Sequence, residues 1–496
     1  MSAPIRPRRT GLVVFGSKIA SIFTGFLFLI MMTRSLGPSQ FGLWEFITDI
    51  VVFAAYPTGI LCYWATRDVA RGKVVGKTTI VLNLLASLLG IAIFFAFGLA
   101  SYRVIGASFT PFILAIILVP LTYWTAATNA LVAGYDPTIN GYSLILSEPA
   151  KLLVGYPLLF LFNMKIMGVI LAIAVSYFVQ AAVSAYMVRR VSTDRVDFSV
   201  ARQWLKDAHV PAINMIPYLL GLADTFVASL GRGGTLQVGY YQAAFQVATI
   251  VAYSTSLSVA VYPMLLRDRS ETLPTELFEF SLLFAIPMAA GAIALAPQIL
   301  FLLSPNYVSS STALIILAVW ALVNLSSGLL DSSLTGSERA DLAVANRTRT
   351  ILRSVLLKVP LVNTVGYAVY LVFIFILARA AVSGLIQTGQ FVDYWALAQL
   401  ALAIALVAVK TGWLRGRVKL ALTPAVLPFL ATAVVMGLVV HLAGTSILVN
   451  GLGTLNYGLR LASIVVLGGA LYFGLLSALD SRVRGYARSV ARLVRH

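Results

Sequence analysis

"MMTRSLGPSQFGLWEFITDIVVF", Met31 to Phe53, is the stretch on which the fold turns. An apolar run pauses from Arg34 to Phe41 and then restarts, with Glu45 and Asp49 inside the restarted part. This is the pattern of two membrane-crossing helices joined by a short hairpin. A helix crosses lipid because it satisfies its own backbone N–H and C=O groups, and it needs about 20 mostly apolar residues to do so.

The rest of the chain repeats that pattern. Its 496 residues would suggest about three soluble domains by length, but 59% are hydrophobic and only 11% charged, with a mean hydropathy of +0.91. Such a composition belongs to an all-α polytopic membrane protein. About fourteen spans fit, from Gly11–Thr33 and Gly42–Thr66 at the start to Pro424–Ala443 and Tyr457–Leu479 at the end. Gly239–Leu266, Leu277–Leu303 and Phe391–Thr411 are among them. Met164 and Lys165 form a very short hinge between two spans, and Lys358 and Pro360 interrupt the span at Val355–Ala378.

Cytoplasmic loops retain Lys and Arg. Placing the N-terminus inside puts most of the 36 Lys and Arg in cytoplasmic segments, so both termini are expected in the cytoplasm of a cell-membrane protein. The net charge of +18 sits mainly in these short loops and the tail. That distribution points to anionic lipid headgroups rather than nucleic acid. In "SRVRGYARSVARLVRH", Val483, Ala487, Val490 and Val494 recur at helical spacing with arginines offset. The tail therefore reads as a helix on the inner membrane face, or as a disordered basic segment.

Several chemistries lack their residues. The longest hydrophilic segment, Arg189–Asp207, is too short for a catalytic domain, and no phosphate-cradling G-x-x-x-x-G-K-[ST] loop is present. His209, His441 and His496 lie too far apart for a metal motif, and Cys62 is the only cysteine. The Asn346-Arg347-Thr348 glycosylation pattern falls on an expected inner loop, where it would not be used. No enzyme, no resident metal and no cofactor are expected.

The hairpin recurs. "SLGPSQFGLWEF", Ser35 to Phe46, is matched by "SLGRGGTLQVGYYQAAF", Ser229 to Phe245: Ser-Leu-Gly, a polar turn, then an apolar residue, a glycine (Gly42, Gly239) and aromatics. Arg67-Asp68 and Arg267-Asp268 follow one bilayer crossing later. Two six-helix halves are thus expected, related by pseudo-twofold symmetry: an N-terminal lobe at 1–188, a cytoplasmic linker at 189–207 and a second lobe at 208–411. Two additional helices at 412–479 and a basic tail at 480–496 complete the chain.

Residues four apart share a helix face, so Glu45 and Asp49 point the same way. Asp224, in the seventh span, lies at a depth similar to that of Asp49, about 10 Å below the outer surface. Ionised carboxylates cost several kcal/mol in lipid, which places all three against a watery cavity. They read as a site for a coupling cation, Na+ or H+, or as three acids each bonded to neighbours such as Thr48, Thr225 or Gln242. On the inner side, Lys18 lies about 10 Å into the first span, and Glu148 and Lys151 enter the fifth to about 10–15 Å. Glu148 and Lys151, three apart, can pair along one helix face. A lipid phosphate would meet the remaining positive charge of Lys18 and Lys151, while snorkelling of their stems is the alternative.

With "KIASIFTGFLFLIMMTRSLGPSQFGLW" (Lys18–Trp44), "ADTFVASLGRGGTLQVGYYQAA" (Ala223–Ala244) and "YPMLLRD" (Tyr262–Asp268) in view, the chain resembles the polysaccharide-biosynthesis (Wzx-like) branch of the multidrug/oligosaccharidyl-lipid/polysaccharide (MOP) flippase superfamily. The resemblance spans roughly the first twelve helices. It implies two six-helix lobes in a V around a cavity that opens alternately to each side. It also implies a cargo, an isoprenoid (pyro)phosphate-linked oligosaccharide turned from the cytoplasmic to the outer leaflet. The alternatives are a cation-coupled multidrug exchanger or a peptidoglycan-precursor flippase of the same superfamily, or an intramembrane glycosyltransferase or glycan polymerase. The last class generally exposes a large outer loop, which is missing from this sequence. The expected partners are the lipid-linked oligosaccharide and anionic lipids; a monomer is expected, able to associate with glycan-assembly enzymes.

Overall fold

The computed structural model describes residues 7–189, 192, 195–252, 254, 273–336, 355–414, 426–447, 453–480 and 483. Among them there are helices and no strands. Eleven helices are long and apolar enough to cross a membrane, or twelve if one bent pair counts as a single span. The expectation of about fourteen differs for two identifiable reasons. The first two spans merge into one helical element, and only the first part of the expected span Gly239–Leu266 lies among the described residues.

That merged element is α1 (Pro7–Ala54), and it is not continuous. Gly37 stands at φ 70, ψ 168, outside helical geometry, with Pro38 after it. Only glycine takes such a φ freely, and a proline just after the break gives up an N–H that would be orphaned in any case. The dipeptide divides α1 into helical stretches at 7–36 and 38–54, the two arms of the quoted hairpin. A second break at Ala55 starts α2 (Tyr56–Ala70), with Pro57 in its first turn. The carbonyl of Ala54 at this break accepts a hydrogen bond from the buried Tyr123 hydroxyl at 2.8 Å, so the interruption leaves no orphaned acceptor there.

α3 (Gly76–Ser101), the short α4 (Thr110–Ala115), α5 (Leu118–Tyr135), α6 (Thr138–Tyr156) and α7 (Lys165–Met187) follow. The expected hinge at Met164 and Lys165 is a tight reversal in which Asn163 and Lys165 both take positive φ, 49° and 48°. A short helix outside the membrane spans, α8 (Phe198–Lys206), precedes α9 (His209–Ser229) and α10 (Thr235–Ala252).

The expected span Leu277–Leu303 is present as a broken one. It is two helices, α11 (Leu273–Ala294) and α12 (Ala296–Leu303), bent by 75° at Leu295, where Pro297 in the first turn of α12 cannot donate back to the preceding helix. After a 3-10 turn at Pro305–Ser310 comes α13 (Ser311–Gly336). α14 (Val355–Val382) runs helically through Pro360 despite the expected interruption, and Lys358 near its start is exposed. α15 (Thr388–Leu414), α16 (Val426–Ile447) and α17 (Thr454–Leu479) end the described part. Arg267-Asp268, Asn346 to Thr348 and, apart from Val483, the tail from residue 481 lie outside the described residues.

The helices cluster into two compact units, one of residues 1–242 and 342–391, the other of 243–341 and 392–496. The division into lobes at 1–188 and 208–411 is kept as a proposal. Within the first unit α1 packs on α6, α6 on α7, α2 on α5 and α9 on α14; within the second, α11 packs on α13 and α16, and α16 on α17. Large apolar side chains such as Leu88, Leu153, Phe162, Val369, Leu427 and Val466 face outward, as a lipid-bathed surface requires.

In the first unit α1 and α10 meet backbone to backbone. A Cβ added at Gly42 would collide with the Thr235 carbonyl, and one added at Gly239 with the Pro38 carbonyl. The Ser39 and Thr235 hydroxyls lie 3.1 Å apart beside this crossing. The two glycines that the repeat equates thus face one another.

Candidate functional site

One charged group builds on α1 and α6. Lys151 and Glu148, one turn apart on α6, form an ion pair at 2.8 Å, both largely buried. Glu148 also accepts a hydrogen bond from the Thr24 hydroxyl of α1 at 3.0 Å. The Lys151 ammonium sits 5.3 Å from the centre of the Phe28 ring, a cation–π distance. The lysine charge is therefore met by one carboxylate and one aromatic face, and Pro149, between the two partners, does not part them. Lys18 lies in α1, six residues before Thr24; its side chain is outside the described residues.

The acidic group draws on four helices of the first unit. Glu45 and Asp49 of α1 and Asp224 of α9 are all buried. Asp224 accepts a hydrogen bond from the Tyr370 hydroxyl of α14 at 2.7 Å and one from Thr225 at 3.4 Å. The Gln242 amide of α10 donates to the Thr225 hydroxyl at 3.3 Å. Thr225 is also within hydrogen-bond reach of Asp49, which feels the charges of Glu45 and Asp224. Oδ2 of Asp49 is buried and meets no hydrogen-bond donor among the described residues. Asp49 and Asp224 are therefore linked through the Thr225 hydroxyl, and Glu45 joins them through its charge on Asp49. Of the neighbours expected, Thr225 and Gln242 belong to this network, while the Thr48 hydroxyl donates to its own helix at the Trp44 carbonyl.

A carboxylate oxygen held dry without a donor is costly, and either a proton or a cation relieves it. Among the described residues no three His, Cys, Asp or Glu side chains are close enough to share a metal ion. A bound cation would have to complete its shell with hydroxyl, amide or carbonyl oxygens, of which Thr225 and Gln242 are the nearest examples.

Two elements were not legible beforehand. Tyr370, one of 21 tyrosines, carries no spacing signal that marks it as the partner of Asp224. In the second unit Lys410 of α15 is 1% exposed and forms an ion pair with Asp331 of α13 at 2.8 Å, while donating to the Ser327 hydroxyl at 2.7 Å. Lys410 closes the apolar run "ALAIALVAVK", and a cation there was the one available signal.

No protein-family model and no curated protein sequence matches the chain. Solved structures do. An inward-facing multidrug resistance MATE family transporter of the MOP superfamily is 15% identical, with a TM-score of 0.56 over 82% of this chain and 98% of that one. The lipid II flippase MurJ, in an inward closed conformation, is 14% identical, with a TM-score of 0.57 over 94% of this chain and 98% of that one. The Vibrio cholerae MATE transporter VcmN in its bent form is 14% identical, with a TM-score of 0.50 over 82% of this chain and 98% of that one. At these identities the likeness establishes a fold: the chain has the polytopic helical fold of MATE transporters and MurJ.

Proposed function

We propose that this chain is a flippase that carries an isoprenoid (pyro)phosphate-linked oligosaccharide from the cytoplasmic to the outer leaflet for surface glycan assembly. The observation that carries this reading is the polar interior of the first unit. Charged groups buried in membrane helices are expensive, and a scaffold would have no use for them. Two features favour a lipid-linked glycan over a drug as cargo. One is the resemblance carried by Lys18–Trp44; the other is the likeness to a lipid II flippase, which extends over 94% of the chain, against 82% for the inward-facing MATE transporter and VcmN.

In this reading Lys18 and Lys151 receive the phosphate and Glu148 holds the Lys151 ammonium in place until the anion arrives. The network of Glu45, Asp49, Asp224 and Tyr370 takes the coupling cation, H+ or Na+. The likeness to MATE transporters supports a second reading, a cation-coupled multidrug exchanger.

Deletion of the gene followed by analysis of surface glycans separates the two. Loss of a surface glycan with build-up of its lipid-linked precursor in the inner leaflet is expected; normal glycans with increased drug sensitivity would favour the exchanger. At matched protein levels, binding of the lipid-linked substrate should fall in Lys18→Gln and Lys151→Gln and largely survive in Lys18→Arg. Unchanged flipping by Lys18→Gln would remove that lysine from the site.

A further inference from the structure

The helix between α7 and α9 has a use that the transport reading leaves open. α8 is fixed to the first unit at both ends. At its start, the Asp197 side chain caps the helix by accepting from the Ser199 N–H at 2.8 Å, and the Asp197 N–H donates to the Thr78 hydroxyl at 3.1 Å. Near its end, the buried Trp204 indole donates to Asp68 Oδ2 at 3.1 Å, and the other oxygen of Asp68 pairs with Lys73 at 2.9 Å. Trp204 also enters a hydrophobic cluster with Leu61, Val69, Val75, Leu131 and Val188. These residues lie in or beside the ends of α2, α3, α5 and α7, so α8 sits at the level where membrane helices end.

An exposed apolar strip lies about a quarter-turn around α8 from that cluster. Phe198 and Leu205, each 62% exposed, are seven residues apart and share one side of the helix. Arg202 and Lys206, both exposed, lie along one edge of that apolar strip, with Ser199 and Gln203 beyond them and the buried Ala201 and Trp204 along the other edge. Two large apolar side chains left outward on a helix already anchored by its tryptophan, bordered by two cations and set at the ends of spans, match an interface of one kind: acyl chains below and anionic headgroups beside them. The positive charge is the complement of an anionic leaflet.

We propose that α8 is a lipid-anchoring helix, with Phe198 and Leu205 inserted into the cytoplasmic leaflet and Arg202 and Lys206 bound to anionic phospholipid headgroups. Anchoring here fixes α2 and α3 to the membrane surface through Asp68 and Thr78, whatever the cargo is.

The test uses the full chain with Cys62→Ser, reconstituted in vesicles of phosphatidylcholine alone or mixed with phosphatidylglycerol. Spin labels are placed by Phe198→Cys, Leu205→Cys and Gln203→Cys, all at exposed positions. In the anionic vesicles the 198 and 205 labels should be reached by oxygen and shielded from a water-soluble nickel chelate, and the 203 label should show the reverse. Two basic residues favour the surface-bound state by about thirtyfold. Adding Arg202→Gln and Lys206→Gln should therefore bring the nickel accessibility of the 205 label up to that of the 203 label. Equal nickel accessibility at 198, 203 and 205 in anionic vesicles, as for a solvated helix or one awaiting a protein partner, would overturn the proposal. So would shielding of 205 that ignores both phosphatidylglycerol and the two substitutions.

Discussion

Replacing Gly42 or Gly239 by alanine tests the backbone-to-backbone contact of α1 with α10. The new Cβ at Gly42 would stand 2.6 Å from the Gly239 nitrogen, and the one at Gly239 would stand 2.7 Å from the Pro38 carbonyl carbon. Packed carbon atoms settle at about 3.5–4.0 Å, so α1 and α10 must part by about 1 Å to admit either methyl. Overpacking costs about 1–3 kcal/mol, and the upper half of that range applies because the obstructing atoms are backbone and cannot swing aside. Each single substitution should therefore cost about 2–3 kcal/mol. One parting of the helices makes room for both methyls, so the double substitution should cost about 3 kcal/mol rather than about 5. With an unfolding entropy of about 2 cal/mol/K per residue, a chain of this length loses about 1 °C per kcal/mol. Melting followed by fluorescence-detected gel filtration in detergent should show a drop of about 2–3 °C for each single variant and about 3 °C for the double. Gly25→Ala, whose new methyl meets nothing within 4 Å, serves as the control and should not lower the melting point. Additive losses, or singles that melt like the parent, would refute the argument that one backbone contact is shared by the two glycines.

Two further outcomes follow from the same geometry. With Cys62→Ser as background, Ser39→Cys together with Thr235→Cys should form a disulfide, because the native hydroxyls are 3.1 Å apart; the cross-linked protein should stop transporting and recover when reduced, and transport at the parental rate while cross-linked would show that α1 and α10 need not separate. Asp331→Leu should destabilise by about 3–5 kcal/mol by stranding the buried Lys410, while Asp331→Leu with Lys410→Met should restore most of the loss; a double variant that melts as low as the single would show that the pair's bulk, and not its charge, holds α13 to α15.

Hydrophobic runs located the helices well because lipid imposes the same rule at every position: a span must be apolar over its length. The turns were equally readable where the apolar run breaks, as between Arg34 and Phe41 and at the Met164-Lys165 hinge. What the runs hide is bending. Leu277–Leu303 reads as one uniform apolar stretch, and only Pro297, which ends the hydrogen-bond ladder, tells of the 75° turn. In the candidate site the i, i+3 pairing of Glu148 with Lys151 was open to inspection because helix geometry alone brings the two together. The partners of Asp224 were another matter. Tyr370 lies 146 residues away, and which residue meets which at that separation depends on how α9 packs against α14. The same holds for Lys410 and Asp331, 79 residues apart.

That last separation also sets an order of events at the ribosome. α13 must enter the membrane while the segment bearing Lys410 has not yet been made, so its aspartate arrives without the cation that later neutralises it. At about 5–20 residues per second, 79 residues take about 4–16 s to synthesise. For those seconds the nascent helix carries an acid that lipid disfavours. α13 therefore either waits at the insertion machinery, where water can reach the carboxylate, or enters with that group protonated. Synthesis of α15 then delivers Lys410, the cation that neutralises the waiting carboxylate.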